Sequence, residues 1–275
     1  AGMLREADAV LITAGAGMGV DSGLPDFRGN QGFWNAYPPI GRLGKSFVEM
    51  ANPTWFFSNP GLAWAFYGHR LNLYRRTFPH AGFHQLLELA SRKPGGYFVF
   101  TSNVDGQFQK AGYDDDRIEE CHGSIHHFQC TNPCGHDIWD AAGIEVLIDE
   151  DRFTAVEPLP RCIRCGELAR PNILMFGDWS WNSNRSQGQS ERLAQWLRSV
   201  TRDGMRAAIV EIGAGTAVAT VRRQSEQVAK RTGGVLIRIN PRDTRVPPGP
   251  HLSLPLGAAE GIKAVCDRTG ELAMR

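Results

Sequence analysis

Ile12-Thr13-Ala14-Gly15-Ala16-Gly17-Met18-Gly19-Val20-Asp21-Ser22-Gly23-Leu24-Pro25-Asp26-Phe27-Arg28-Gly29 is the stretch on which the reading of this chain turns. The apolar run Ala9-Val10-Leu11-Ile12 reads as a buried parallel strand, and small residues take over where that strand ends. Gly15 and Gly17 let a backbone turn pass close to a ligand, and main-chain N–H groups at the start of a following helix would favour phosphate oxygens. A structural turn accounts for the glycines equally well, and the pattern G-x-G-x-x-G fails because Val20 stands at its third glycine. The continuation is more telling, because it sets an acid (Asp26), an aromatic (Phe27) and a guanidinium (Arg28) in one short Pro-braced loop.

With 275 residues, 42% of them hydrophobic, the chain can bury one large core or a core with a satellite module. The formal net charge of +1, with both signs mixed along the sequence, leaves no electrostatic footprint for nucleic-acid or membrane binding. No basic segment leads into a secretory apolar core, and no run approaches the roughly 18 apolar residues of a membrane span. The expectation is a cytoplasmic protein without stable nucleic-acid or membrane partners. Four of the six cysteines form two close pairs, Cys130/Cys134 and Cys162/Cys165. In a chain of this size such pairs point to Zn²⁺ rather than to disulfides, and four thiolates leave the metal no open position for water, so the zinc is structural. His136 is a weaker competing ligand.

Segments 33–76 are aromatic and Pro-punctuated and then helical, with Asn59 as N-cap and Pro60 in the first turn of a helix reaching Arg76. Gly44-Lys45-Ser46 ends like a P-loop, but Pro39 stands where its first glycine belongs. Tyr67 and Arg70, three apart on that helix, share one face, as a surface pair or as a binding pair. Further on, strands are expected at 97–100, 117–121, 207–212 and 235–239, alternating with helices at 190–200 and 221–232. Such alternation predicts an α/β fold with a parallel sheet.

Gly15 to Gly29 resembles the cofactor loop of the sirtuin family of NAD-dependent protein-lysine deacylases, bacterial type, and more of that family's motifs follow in order. Thr101-Ser102-Asn103-Val104-Asp105 is similar to its T-Q-N-I-D, with serine in place of glutamine. His122-Gly123 matches the H-G of its catalytic base, and Arg170 to Asp178 resembles R-P-x-V-V-x-F-G-E. Gly213-Ala214-Gly215-Thr216 resembles G-T-S, and Asn240 the asparagine of I-N. The resemblance runs from about Asp8 to Asp267 and implies a Rossmann-like domain (1–32, 77–128 and 168–275) carrying an inserted helical module (33–76) and a zinc module (129–167).

It also implies roles. NAD would be held by Gly15, Ala16, Gly17, Asp26, Phe27, Arg28, Ser102, Asn103, Asp105, Gly213, Gly215, Thr216 and Asn240. His122 would act as base with Asn103 beside it, and an imidazole suits proton abstraction near neutral pH. Strand alternation would turn Cys121 to the other face, away from such a role. Phe176, Gly177 and Asp178 would line the groove for an acyl-lysine peptide. Tyr67 and Arg70 resemble the Y-x-x-R pair that holds acidic acyl groups in part of the family. The products would be nicotinamide, lysine and O-acyl-ADP-ribose. ADP-ribosyl transfer, NAD hydrolysis or silent NAD sensing by the same cleft are the alternatives.

Overall fold

The computed structural model describes residues 2–26, 29–132, 134, 135 and 137–269. Its strands are β1 (Ala9–Ala14), β2 (Tyr97–Thr101), β3 (Ile118–Glu120), β4 (Gly123–Cys130), β5 (Trp139–Asp140), β6 (Ile148–Asp149), β7 (Thr154–Ala155), β8 (Ala169–Ile173), β9 (Ala207–Ile212), β10 (Val235–Ile239) and β11 (Leu252–Leu254). Its helices are α1 (Gly2–Glu6), α2 (Gly29–Ala36), α3 (Pro38–Arg42), α4 (Phe47–Met50), α5 (Trp55–Ser58), α6 (Pro60–Arg76), α7 (Ala81–Ser91), α8 (Gln107–Lys110), α9 (Asn184–Arg202), α10 (Thr220–Thr232) and α11 (Ala258–Thr269).

The strand expected at Ala9 forms, and all six of its residues are buried. It lies inside a six-stranded sheet of order β11-β10-β9-β1-β2-β3 whose pairs are all parallel, as a Rossmann-like domain requires. Chain order runs outward from β1 in both directions, which opens a crevice at the C-terminal ends of β1 and β9. The pleat sends alternate residues to opposite faces. Val10 and Ile12 meet Phe83 and Leu86 of α7 and Ile262 of α11 on one face, while Leu11 meets Leu193 of α9 and Val221 of α10 on the other. Burial of each large side chain contributes roughly 1.5–3 kcal/mol, whereas the Arg206–Asp8 ion pair is exposed to solvent, which screens it. The two apolar layers therefore hold the sheet.

A separate core gathers α2 to α6 with the antiparallel sheet β5-β4-β8, where Ile125, Phe128, Ala169 and Ile173 meet Trp64 and Phe66. The expected cap of α6 is present, Asn59 Oδ1 accepting from Leu62 N–H at 3.1 Å. That helix departs from a one-sided apolar stripe, because 63–68 are buried without interruption. The cause is a segment crossing its far side, where Val146 lies so close to Gly68 that a Cβ there would sit 2.4 Å from Val146 Cγ1. A second departure follows β1, where two 3₁₀ turns, Ala16–Met18 and Val20–Ser22, stand in place of a following helix. Among the described residues, no helix is long and apolar enough to cross a membrane.

Candidate active site

The loops after β1 and β9 cross in main-chain contact. Gly15 N–H donates to Ile212 O at 3.0 Å, and Gly17 N–H to Gly213 O at 3.1 Å. Gly213 has φ +62°, and a Cβ on it would lie 2.4 Å from the Gly17 carbonyl carbon. The three glycines are thus required by the crossing itself. Gly215 differs, since a Cβ there would meet nothing within 4 Å, and its neighbour Thr216 is exposed, as is Ala16 across the crossing. Asn240 is fully buried and committed to protein, its Nδ2 donating to Ala214 O at 2.8 Å and its Oδ1 accepting from Arg242 and Asp243 N–H, both at 3.0 Å. These bonds shape the loop on which the cofactor contact is expected. Arg222, which sequence reasoning missed, ties Ala214 O to Asp243 O and Arg245 O on the same loop. Asp26 is half-buried at the far end of the first loop, and Phe27 and Arg28 lie outside the described residues.

The segment after β2 is stitched onto this crossing. Ser102 N–H and Thr101 Oγ1 both donate to Ala14 O, at 3.2 and 3.0 Å, and Asn103 Nδ2 donates to Gly15 O at 3.0 Å. Asp105 is buried, which pushes its carboxyl up to about 6 although Oδ1 accepts the Gln107 N–H at 2.9 Å. His126 contacts the Asp105 carbonyl at 2.9 Å.

His122 follows β3 and is half-buried, with the Ser102 main chain beside its ring. Burial lowers its pKa below the usual 6.5 against the opposing effect of that main chain, so the imidazole is neutral at pH 7. Two elements pin the main chain here. Ser186 Oγ and Gln189 Oε1 of α9 bond Glu120 O and N–H at 3.0 and 3.1 Å, and Leu174 N–H after β8 donates to His122 O at 2.9 Å. Neither α9 residue carries a motif that could have flagged it. Cys121 packs on the α9 side of the sheet, as alternation predicts, and burial raises its thiol, which disfavours the thiolate.

Tyr67 and Arg70 are 1% and 6% exposed, which excludes the surface-pair reading. The Arg70 guanidinium lies 5.4–5.8 Å from the ring centroids of Phe47, Phe66, Tyr67 and Tyr74. The buried Tyr67 hydroxyl has no hydrogen-bond partner among the described residues. Phe176 is partly exposed with its ring edge-on to Phe47 at 6.2 Å, and Gly177 turns the chain with φ +67°. Asp178 corrects the sequence reading, because its carboxylate is fully buried and not groove-facing. It takes Arg170 Nη2 at 2.5 Å, Met175 N–H at 3.3 Å and both Ser180 donors at 3.2 Å. The acid is the inner clamp of the turn, and Trp179 beside it is 99% exposed.

The Sγ atoms of Cys130, Cys134, Cys162 and Cys165 all lie within 4.8 Å of one another. The 3.6 Å Cys130–Cys165 and 3.7 Å Cys134–Cys162 separations are far from a disulfide and close to the ~3.8 Å edge of a tetrahedron with Zn–S near 2.3 Å. The main chain at Asn132, Arg164 and Glu167 favours the thiolate forms of Cys130, Cys162 and Cys165. The set fits a structural Zn²⁺. His136 lies outside the described residues.

The Sir2 family profile matches residues 15–194. A protein of Aquifex aeolicus named NAD-dependent protein deacylase is 30% identical over 263 residues, covering 94% of each chain. One of the same name from Thermus thermophilus is 29% identical over 262 residues, 94% of this chain and 89% of that one. Among solved structures, a Sir2 homologue–NAD complex superposes with a TM-score of 0.72 at 26% identity, covering 97% of this chain and 91% of that one. A Sir2 homologue–ADP-ribose complex gives 0.70 at 26% identity, covering 99% and 96%. With the fold, the loop crossing and the four cysteines all in agreement, the chain belongs to the Sir2 family.

Proposed function

We propose that this chain is an NAD-dependent protein-lysine deacylase. The observation that carries the reading is the joining of three strand ends at one point, with Asn103 bonded to Gly15 and the Cys121 N–H, next to His122, donating to Thr101 O at 2.9 Å. The bare backbone at Ala16, Gly215 and Thr216, at the switch point of the sheet, suits the pyrophosphate and adenosine half of NAD. When bound, NAD supplies the ADP-ribosyl group that takes over the acyl group as nicotinamide leaves. Neutral His122 accepts the proton of a ribose hydroxyl, Asn103 and Asp105 contact the ribose and nicotinamide end, and the Ser102 main chain lies beside the imidazole. The peptide runs beside Phe176 and Gly177.

The reading includes a preference for acidic acyl groups such as malonyl or succinyl, supported by the buried Arg70 guanidinium and by the Tyr67 hydroxyl, which has no partner among the described residues. It includes the three-part division of the chain given above, with β4 and β8 forming the seam to the second core. It also includes a cytoplasmic setting, supported by paired zinc-type cysteines in place of disulfides.

The test is nicotinamide release from NAD with no peptide, an acetyl-lysine peptide or a succinyl-lysine peptide, with the peptide mass followed in parallel. Release should require an acyl peptide and remove its acyl group, and His122→Ala should slow it at least about 100-fold. Release without peptide would move the activity to NAD hydrolysis or ADP-ribosyl transfer.

A further inference from the structure

Tyr67, Arg70 and Tyr74 follow one another on α6 at spacings of three and four, so they form a single stripe. Tyr74 is 4% exposed, and its hydroxyl accepts from both Nε and Nη2 of Arg70, at 3.2 and 3.0 Å. The surrounding rings attract the cation through its charge and accept no directed hydrogen bond from it as the hydroxyl does. Two N–H groups converging on one oxygen set the direction of the guanidinium fork.

We propose that Tyr74 is a specificity-determining positioning residue, whose hydroxyl holds Arg70 in the orientation that receives the terminal carboxylate of an acidic acyl-lysine. This rests on the acyl preference given above and adds the group that makes it selective. Arginine recognises a carboxylate through a planar fork, so its angle matters as much as its charge. A guanidinium already fixed loses little motion when the carboxylate arrives, and that saving appears as affinity. An acetyl group carries no carboxylate and gains nothing from the orientation. Tyr74 therefore acts on the KM of acidic acyl substrates rather than on the chemical step.

Tyr74→Phe removes one oxygen and keeps the ring, so the box keeps its shape. Steady-state kinetics at saturating NAD would compare two peptides that differ only in carrying acetyl- or succinyl-lysine. Tyr74→Phe should raise the succinyl KM about tenfold relative to the acetyl KM, with the kcat ratio unchanged. Arg70→Lys, which keeps the charge but lacks the fork, should shift the ratio in the same direction, and it serves if the phenylalanine variant does not fold. If both peptides respond alike to Tyr74→Phe, or neither responds, while Arg70→Met still selectively impairs the succinyl peptide, the positioning role is overturned and the acyl preference stands. If Arg70→Met impairs both peptides alike, the acyl preference itself falls and the inference falls with it.

Discussion

Where Gly15, Gly17 and Gly213 meet, main chain packs on main chain, whereas around Arg70 the contacts come from the side chains of Phe47, Phe66, Tyr67 and Tyr74. The difference sets what each region tolerates. A backbone crossing admits no Cβ, so any substitution there acts on the fold before it acts on a ligand. A side-chain box can lose one oxygen while its walls stay in place, so its selectivity can change independently of folding.

Gly213→Ala tests the first half of this contrast most severely. Its Cβ would meet the Gly17 carbonyl carbon at 2.4 Å on a residue with φ +62°, and neither loop can withdraw without breaking the Gly17–Gly213 hydrogen bond. Strain and overpacking together should cost about 2–5 kcal/mol in denaturant unfolding and abolish ADP-ribose binding by calorimetry. Wild-type stability with normal binding would break the comparison.

Zinc withdrawal probes a region where side chains do hold the fold. Four sulfurs brought within 4.8 Å from two distant segments repel one another as thiolates once the metal is gone. A strong chelator should lower Tm by about 5–10 °C, and added Zn²⁺ should restore it. An unchanged Tm would show that the second core stands without the metal.

The smallest effect concerns pH. His122 has a pKa held below 6.5 by burial, and Asp105 titrates at about 6. Both are in their working forms at neutral pH, so the acid limb of kcat/KM should reach half-maximum below pH 6.5. His127, pushed down to about 4 by burial, contributes a share of stability that declines with acid, opposite in sign to the share of Asp105 and of Glu119, which burial raises to about 7. The unfolded imidazole takes up a proton below about 6.5 while the folded one does not, so this contribution, present above 6.5, is lost between about 6.5 and 4. An acid limb centred above pH 6.5 would mean that the buried imidazole is not the base.

The sequence alone determined the central strands, because apolar runs such as Ala9 to Ile12 and Ala207 to Ile212 have few alternatives to a two-faced parallel sheet. It determined the zinc ligands and the turn of Cys121 away from His122 as well, since short spacing and strand alternation are local properties. Tertiary structure alone decided that Asp178 faces inward to Arg170, that Asn240 is spent on Ala214, and that α9 pins Glu120 ahead of His122. It also decided that the first glycines serve a crossing with Gly213. Pattern fixes the side of an element on which a residue lies, but what it meets there comes from chain far away in sequence or from a rotamer chosen by packing. Arg70 and Tyr74 are the instructive case, because their spacing of four permitted the contact and only burial in one aromatic box made it.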